Sequence, residues 1–202
     1  IYSSDLVNWS TITFTSASTY ANPKIVYMKD KFIFLYEQNI IAYTNDLSTF
    51  TDVVLSYSFD FICVHNYTYV QNSTYPFLQP APVEQLLLVK TNSTQYATST
   101  TGSSFSYANL SIAKTWTNII NGGRSVLLLS SDSIPYISYD NLATIDTLIA
   151  STTGTTKGCS NGEFYFLHGY HYASDPDYLV LVPERTLMKD NIKLKNYAKD
   201  II

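Results

Sequence analysis

Cysteine, glycine and arginine are scarce in this 202-residue chain, and each scarcity removes a class of function. The two cysteines, Cys63 and Cys159, are too few for a disulfide framework and lack metal-ligand spacing. They read as buried apolar thiols in strands, with a bridge between sheets as the alternative. Seven glycines leave no phosphate-cradling loop and no nucleophile elbow. The arginines are Arg124 and Arg185, the net charge is −4 and no basic cluster occurs, which argues against nucleic acid and anionic membrane surfaces as partners. No apolar run reaches the length of about 18 residues that spans a bilayer, so no membrane insertion is expected, and no charged-then-apolar leader opens the chain.

What is abundant points to strands. Eighteen Tyr and ten Phe, much Ser, Thr, Val and Ile, and only 14% charged residues favour β-structure. No convincing helical periodicity precedes the last dozen residues. Four stretches share a pattern: Ser3-Ser4-Asp5-Leu6-Val7-Asn8-Trp9, Thr44-Asn45-Asp46-Leu47-Ser48-Thr49-Phe50, Ser99-Thr100-Thr101-Gly102-Ser103-Ser104-Phe105 and Ser138-Tyr139-Asp140-Asn141-Leu142-Ala143-Thr144-Ile145. Their first residues are 41, 55 and 39 positions apart, about the length of one four-stranded propeller blade. An Asp carboxylate that accepts the backbone N–H groups following it closes a tight turn, and the later aromatic packs back on the sheet.

These stretches resemble the Asp-box, or BNR, motif of sialidase-like β-propellers. The match is partial: Leu6, Leu47 and Asn141 stand where Gly is common, and Thr101 where Asp is common. The resemblance implies architecture alone, because the motif occurs in proteins of unrelated activity.

Strands fall in the same order three times: 24–28, 32–36, 40–44 and 49–55; then 61–70, 85–89, 95–99 and 105–110; then 117–121, 125–130, 136–139 and 144–150. Half a blade is expected at each end, with 163–168 and 178–182 as first and second strands and 1–3 and 9–14 as third and fourth. The fold expected is therefore all-β, a small propeller of about four four-stranded antiparallel blades, with five as the alternative. Its ring would be closed by the amino- and carboxy-terminal strands, which removes exposed sheet edges. Residues 1–185 form the propeller domain in this reading, and 186–202 a carboxy-terminal extension or linker.

Sialidase chemistry needs three arginines, so the likeness stops at architecture. A furanosidase-like site needs inward carboxylates, and Glu37, Asp132 and Glu184 lie in the connections that face the usual ligand side. Solvated loop carboxylates are the ordinary explanation for them. His168 and His171 stand three apart in a Tyr-rich run without further ligands at convincing distance, so no metal, cofactor or catalytic residue is assigned. Binding has positive support from loop Tyr and Trp interleaved with Asn, Ser and Thr. The ligand-binding candidates are Tyr20, Glu37, Tyr57, Trp116, Asp132 and Glu184 on the customary ligand face, and Tyr75 and Phe77 in the Pro-rich insertion 71–82. Five sequons, at Asn8, Asn66, Asn72, Asn92 and Asn109, carry little weight in a chain this rich in Asn, Ser and Thr.

In low charge, polar-aromatic composition and degenerate repeat, the chain resembles bacteriophage tail receptor-binding propellers and bacterial surface adhesins. That resemblance implies an extracellular place on a virion tail or cell surface, a glycan or cell-wall polymer as partner, and other subunits, often in a homotrimer. The expectation is a non-catalytic receptor-binding module. The alternatives are a glycoside hydrolase and a structural assembly domain.

Overall fold

The computed structural model describes residues 3, 5–11, 23–67, 83–123, 125–132, 134–147, 157–161, 164–169 and 178–183. Among them there is no helix, and the strands form four antiparallel sheets in which chain order and spatial order agree. The first sheet holds β1 (Lys24–Met28), β2 (Lys31–Glu37), β3 (Ile40–Thr44) and β4 (Thr51–Val54). The second holds β5 (Phe61–Tyr67), β6 (Val83–Val89), β7 (Ser93–Ser99) and β8 (Ser106–Lys114). The third holds β9 (Trp116–Asn121), β10 (Val126–Ser130), β11 (Tyr136–Ser138) and β12 (Asp146–Thr147). The fourth has three strands, β13 (Lys157–Ser160), β14 (Phe164–Gly169) and β15 (Tyr178–Pro183).

The four patterned stretches do form one kind of turn. In the Thr44 turn, the Asp46 carboxylate accepts the backbone N–H of Ser48 and of Thr49, each at 2.9 Å, while Thr44 donates its hydroxyl to it at 3.0 Å. Asp5 takes the N–H groups of Val7 and Asn8 in the same way, at 2.9 and 2.8 Å. Thr101 substitutes its hydroxyl for the carboxylate and accepts from Ser103 and Ser104 at the longer distances of 3.3 and 3.2 Å. Asp140 reaches one residue further, to the N–H of Thr144 at 2.8 Å. The residue after each turn-closing side chain has left-handed backbone, with φ of 60° at Leu6, 60° at Leu47, 75° at Gly102 and 57° at Asn141. Only Gly102 adopts it without steric cost; for Leu the cost is about 1–2 kcal/mol. Gly102 is also close-fitted, since a Cβ there would lie 2.8 Å from Ile33 Cδ1 of the first sheet.

Alternation along the second strand of each sheet makes the core. Leu86 and Leu88 of β6 face the first sheet and join Met28, Ile33 and Leu35. Leu87 and Val89 face the third and join Trp116, Val126 and Leu128. Leu127 and Leu129 of β10 face the fourth, against Tyr165 and Leu167. Period-two alternation with both faces apolar is what a strand between two packed layers requires. Each fully buried Leu contributes about 1.5–3 kcal/mol from burial. The first sheet is buried on its other face too, where Phe34, Tyr36 and Ala42 cluster with Phe50. The sheets meet through their first strands: β1 packs on β5, β5 on β9, and β9 on β13.

Three expectations require correction. The stretches 163–168 and 178–182 are second and third strands of the fourth sheet, because Lys157–Ser160 precedes them as a first strand. That strand carries no apolar alternation. Gly158 is close-fitted on two sides: a Cβ would lie 2.8 Å from the Phe166 carbonyl of the adjacent strand β14 and 2.9 Å from Ile120 Cδ1 of the third sheet. Among the described residues no sheet closes into a ring; of the amino-terminal pieces expected as strands, 1–2 and 12–14 lie outside the described residues, and Ser10 makes an isolated bridge. The thiols also differ, since both are free and only Cys63 is buried, while Cys159 is exposed. Burial pushes the Cys63 thiol up to about 12. The segment 186–202 lies outside the described residues.

Candidate functional site

Up-and-down strand order places the starts of β1, β5, β9 and β13 at one end of the molecule, with the β2–β3, β4–β5, β6–β7, β8–β9 and β10–β11 connections. A ribbon of hydrogen bonds ties this end together across three sheets. Phe59 N–H donates to the Gln38 carbonyl at 2.6 Å, and Asp60 N–H to the Val89 carbonyl at 3.0 Å. The Asp60 carboxylate accepts from Gln38 Nε2 at 3.2 Å and from the Thr91 N–H at 2.8 Å. Thr91 donates its hydroxyl to the Trp116 carbonyl at 3.0 Å. Asn92 N–H donates to the Lys114 carbonyl at 2.9 Å, and Lys114 pairs with Asp132 at 2.6 Å.

Where the first strands converge at this end lies a pocket of about 540 Å³, within the range of about 300–1,000 Å³ typical of small-ligand sites. Lys24 heads β1, Phe61 and Ile62 open β5, Thr117, Asn118 and Ile119 follow Trp116 in β9, and Lys157 heads β13, so four sheets contribute to the lining. The half-buried Lys24 has its Nζ 3.8 Å from the centroid of the Phe61 ring and donates to the Asp60 carbonyl. Burial draws its pKa below the ordinary lysine value, against the opposing pull of Asp60. The hydroxyl of Thr117 is buried without a hydrogen-bond partner among the described residues.

Of the residues expected to bind ligand, Glu37, Tyr57 and Asp132 lie at this same end. Glu37 is half-buried where β2 enters its turn. Tyr57 is 44% exposed, and its ring makes an edge contact with Tyr107 at 5.4 Å. Asp132 is committed to structure: it accepts from Ser130 Oγ, from the Ile134 N–H at 3.2 Å and from Lys114. Burial acts to raise its pKa, but the bonds from Lys114, Ser130 and Ile134 prevail and hold it at about 2.

Trp116 must be reassigned. Its indole is 2% exposed and packs edge-on against Tyr136 at 5.4 Å, in the core between the second and third sheets. The register of β9 directs it inward, so it is a packing residue and not a ligand platform. Tyr20, Tyr75, Phe77 and Glu184 lie outside the described residues, as does His171. The reading from sequence missed Lys24, Phe61, Asn118 and Lys157. For Lys24, Asn118 and Lys157 the signal it could have used is a polar or charged residue near the head of a first strand, where a buried strand would otherwise be apolar; Phe61 carries no such mark.

No protein-family model and no curated protein sequence matches the chain. Fold and site together define an all-β protein of four consecutive antiparallel sheets with a pocket at the convergence of their first strands.

Proposed function

We propose that the chain is a non-catalytic binding module, a small β-propeller whose consecutive sheets are its blades, that recognises a surface carbohydrate or cell-wall polymer. The pocket at the heads of the first strands carries this reading. It offers an aromatic ring at Phe61, an amide at Asn118, a hydroxyl at Thr117 and two ammonium groups, the mixture of apolar and hydrogen-bonding surface that a sugar presents in complement. The propeller assignment draws support from four repeated turns, from contacts made through first strands, and from burial of both faces of the first sheet. A retaining or inverting glycosidase would instead need two carboxyl groups about 5–9 Å apart across the bond cleaved. Display on a virion tail or cell surface, in a larger assembly, is the setting that suits such a module.

An array of glycans and cell-wall polymers, read with wild type, Asn118→Ala and Tyr57→Ala, tests this. Selective binding that Asn118→Ala weakens about threefold to tenfold, the worth of one hydrogen bond, is the expected result. Loss by Tyr57→Ala alone would move the site to the rim. Time-dependent disappearance of an arrayed glycan would replace the reading with a hydrolase, and no binding at all with an assembly domain.

A further inference from the structure

The convergence pocket is locally cationic in a chain that is acidic overall. The formal net charge is −4, yet the pocket's described lining holds Lys24 and Lys157 and no Asp or Glu. Lys24 is partly withdrawn from water, over the Phe61 ring and against the Asp60 carbonyl. The neighbouring Asp60 carboxylate accepts from the turns, Gln38 Nε2 at 3.2 Å and the Thr91 N–H at 2.8 Å, and attracts Lys24 without a direct ion pair. Among the described residues the ion pair present is Lys114–Asp132; neither pocket lysine makes a direct ion pair there, and Lys24 feels Asp60 only as a longer-range attraction. An ammonium that is half desolvated and held by no direct ion pair carries an energetic penalty, and an arriving anion relieves it. Lys157 is exposed at the head of β13 and adds a second positive group on the same cavity.

We propose that this pocket takes an anionic group carried by a surface polymer, a carboxylate or a phosphate, with Lys24 and Lys157 as its ammonium partners and Asn118 beside them for neighbouring hydroxyls. The inference rests on the binding-module reading and narrows it from polymers in general to acidic ones. Charge-assisted hydrogen bonds of this kind are about twice as strong as neutral ones. Because the chain as a whole is acidic, attraction is confined to the pocket and to distances within about 8–10 Å at ordinary salt.

Polygalacturonate, poly(glycerol phosphate) and dextran, each immobilised, present carboxylate, phosphate and no charge. Wild type is expected to bind one of the first two about tenfold or more tightly than dextran, and Lys157→Gln to lose about tenfold or more of that affinity. Added salt should weaken wild type more than the variant. The preferred acidic polymer identifies the anion. Lys24→Gln should act in the same direction; Lys157, being exposed, decides the matter if the Lys24 variant folds poorly. Acidic polymers bound no better than dextran, or held at wild-type strength by Lys157→Gln, would overturn the inference. In that case selective binding of a neutral polymer, weakened by Asn118→Ala, leaves the binding-module reading standing, whereas no binding to any arrayed polymer removes both.

Discussion

Asp46 illustrates how much a single side chain does in this chain. The N–H groups of Thr49 and Ser48 hold its carboxyl well below the ordinary aspartate range, and the N–H groups of Asn8 and Val7 do the same for Asp5. A carboxyl whose folded value lies below the unfolded one, about 3.9, contributes stability that is present above about pH 4 and lost as pH falls through the folded value. Melting temperature followed from pH 7 to pH 2 should therefore fall more steeply for wild type than for Asp46→Asn, and the two curves should converge in acid; parallel curves would contradict this. The turns were legible in the sequence because their chemistry is local, Ser or Thr followed by a carboxylate within reach of the next N–H groups. That Leu6 and Leu47 would accept left-handed backbone was not, because the strain is tolerated only where the turn's other bonds impose it.

At the scale of the element, strand boundaries were legible wherever hydrogen bonding stays within the sheet. β3 spans Ile40–Thr44, matching the sequence reading, while β4 starts at Thr51 because the Thr49 N–H is spent on Asp46. The last strand of the third sheet, expected over 144–150, starts at Asp146 because Asp140 takes both the N–H and the hydroxyl of Thr144, and 148–150 lie outside the described residues. Docking of one sheet on another was not legible. Tyr165 of β14 donates its hydroxyl to the Ser125 carbonyl at 2.9 Å and lies 2.7 Å from Ser125 Oγ, fully buried between the third and fourth sheets. Tyr165→Phe should lower unfolding free energy by about 1–3 kcal/mol, the cost of leaving buried acceptors unmet. Urea denaturation measures it, and an unchanged midpoint would mean that the hydroxyl adds nothing to docking.

For the whole molecule, the arrangement of sheets separates two thiols that look alike in sequence. Cys63 lies in the core between the second and third sheets and Cys159 on the surface of the fourth. A thiol-reactive dye should label one cysteine rapidly in the native protein and two after unfolding; two rapid native reactions would show that the second and third sheets do not pack as described. The same arrangement made the candidate site. Lys24, Phe61, Asn118 and Lys157 span 134 positions of sequence, and no local pattern relates them. They meet because each stands near the head of a first strand and the first strands pack on one another. The sequence by itself determined the β class, the turns and the order of strands within the first three sheets, since propensity, alternation and side-chain-to-backbone bonding all act over a few residues. Only the tertiary structure decided that Trp116 is core, that Lys157–Ser160 is a strand and that two lysines share a pocket, because each depends on which face of one sheet meets another, a long-range choice set by the summed burial of many side chains.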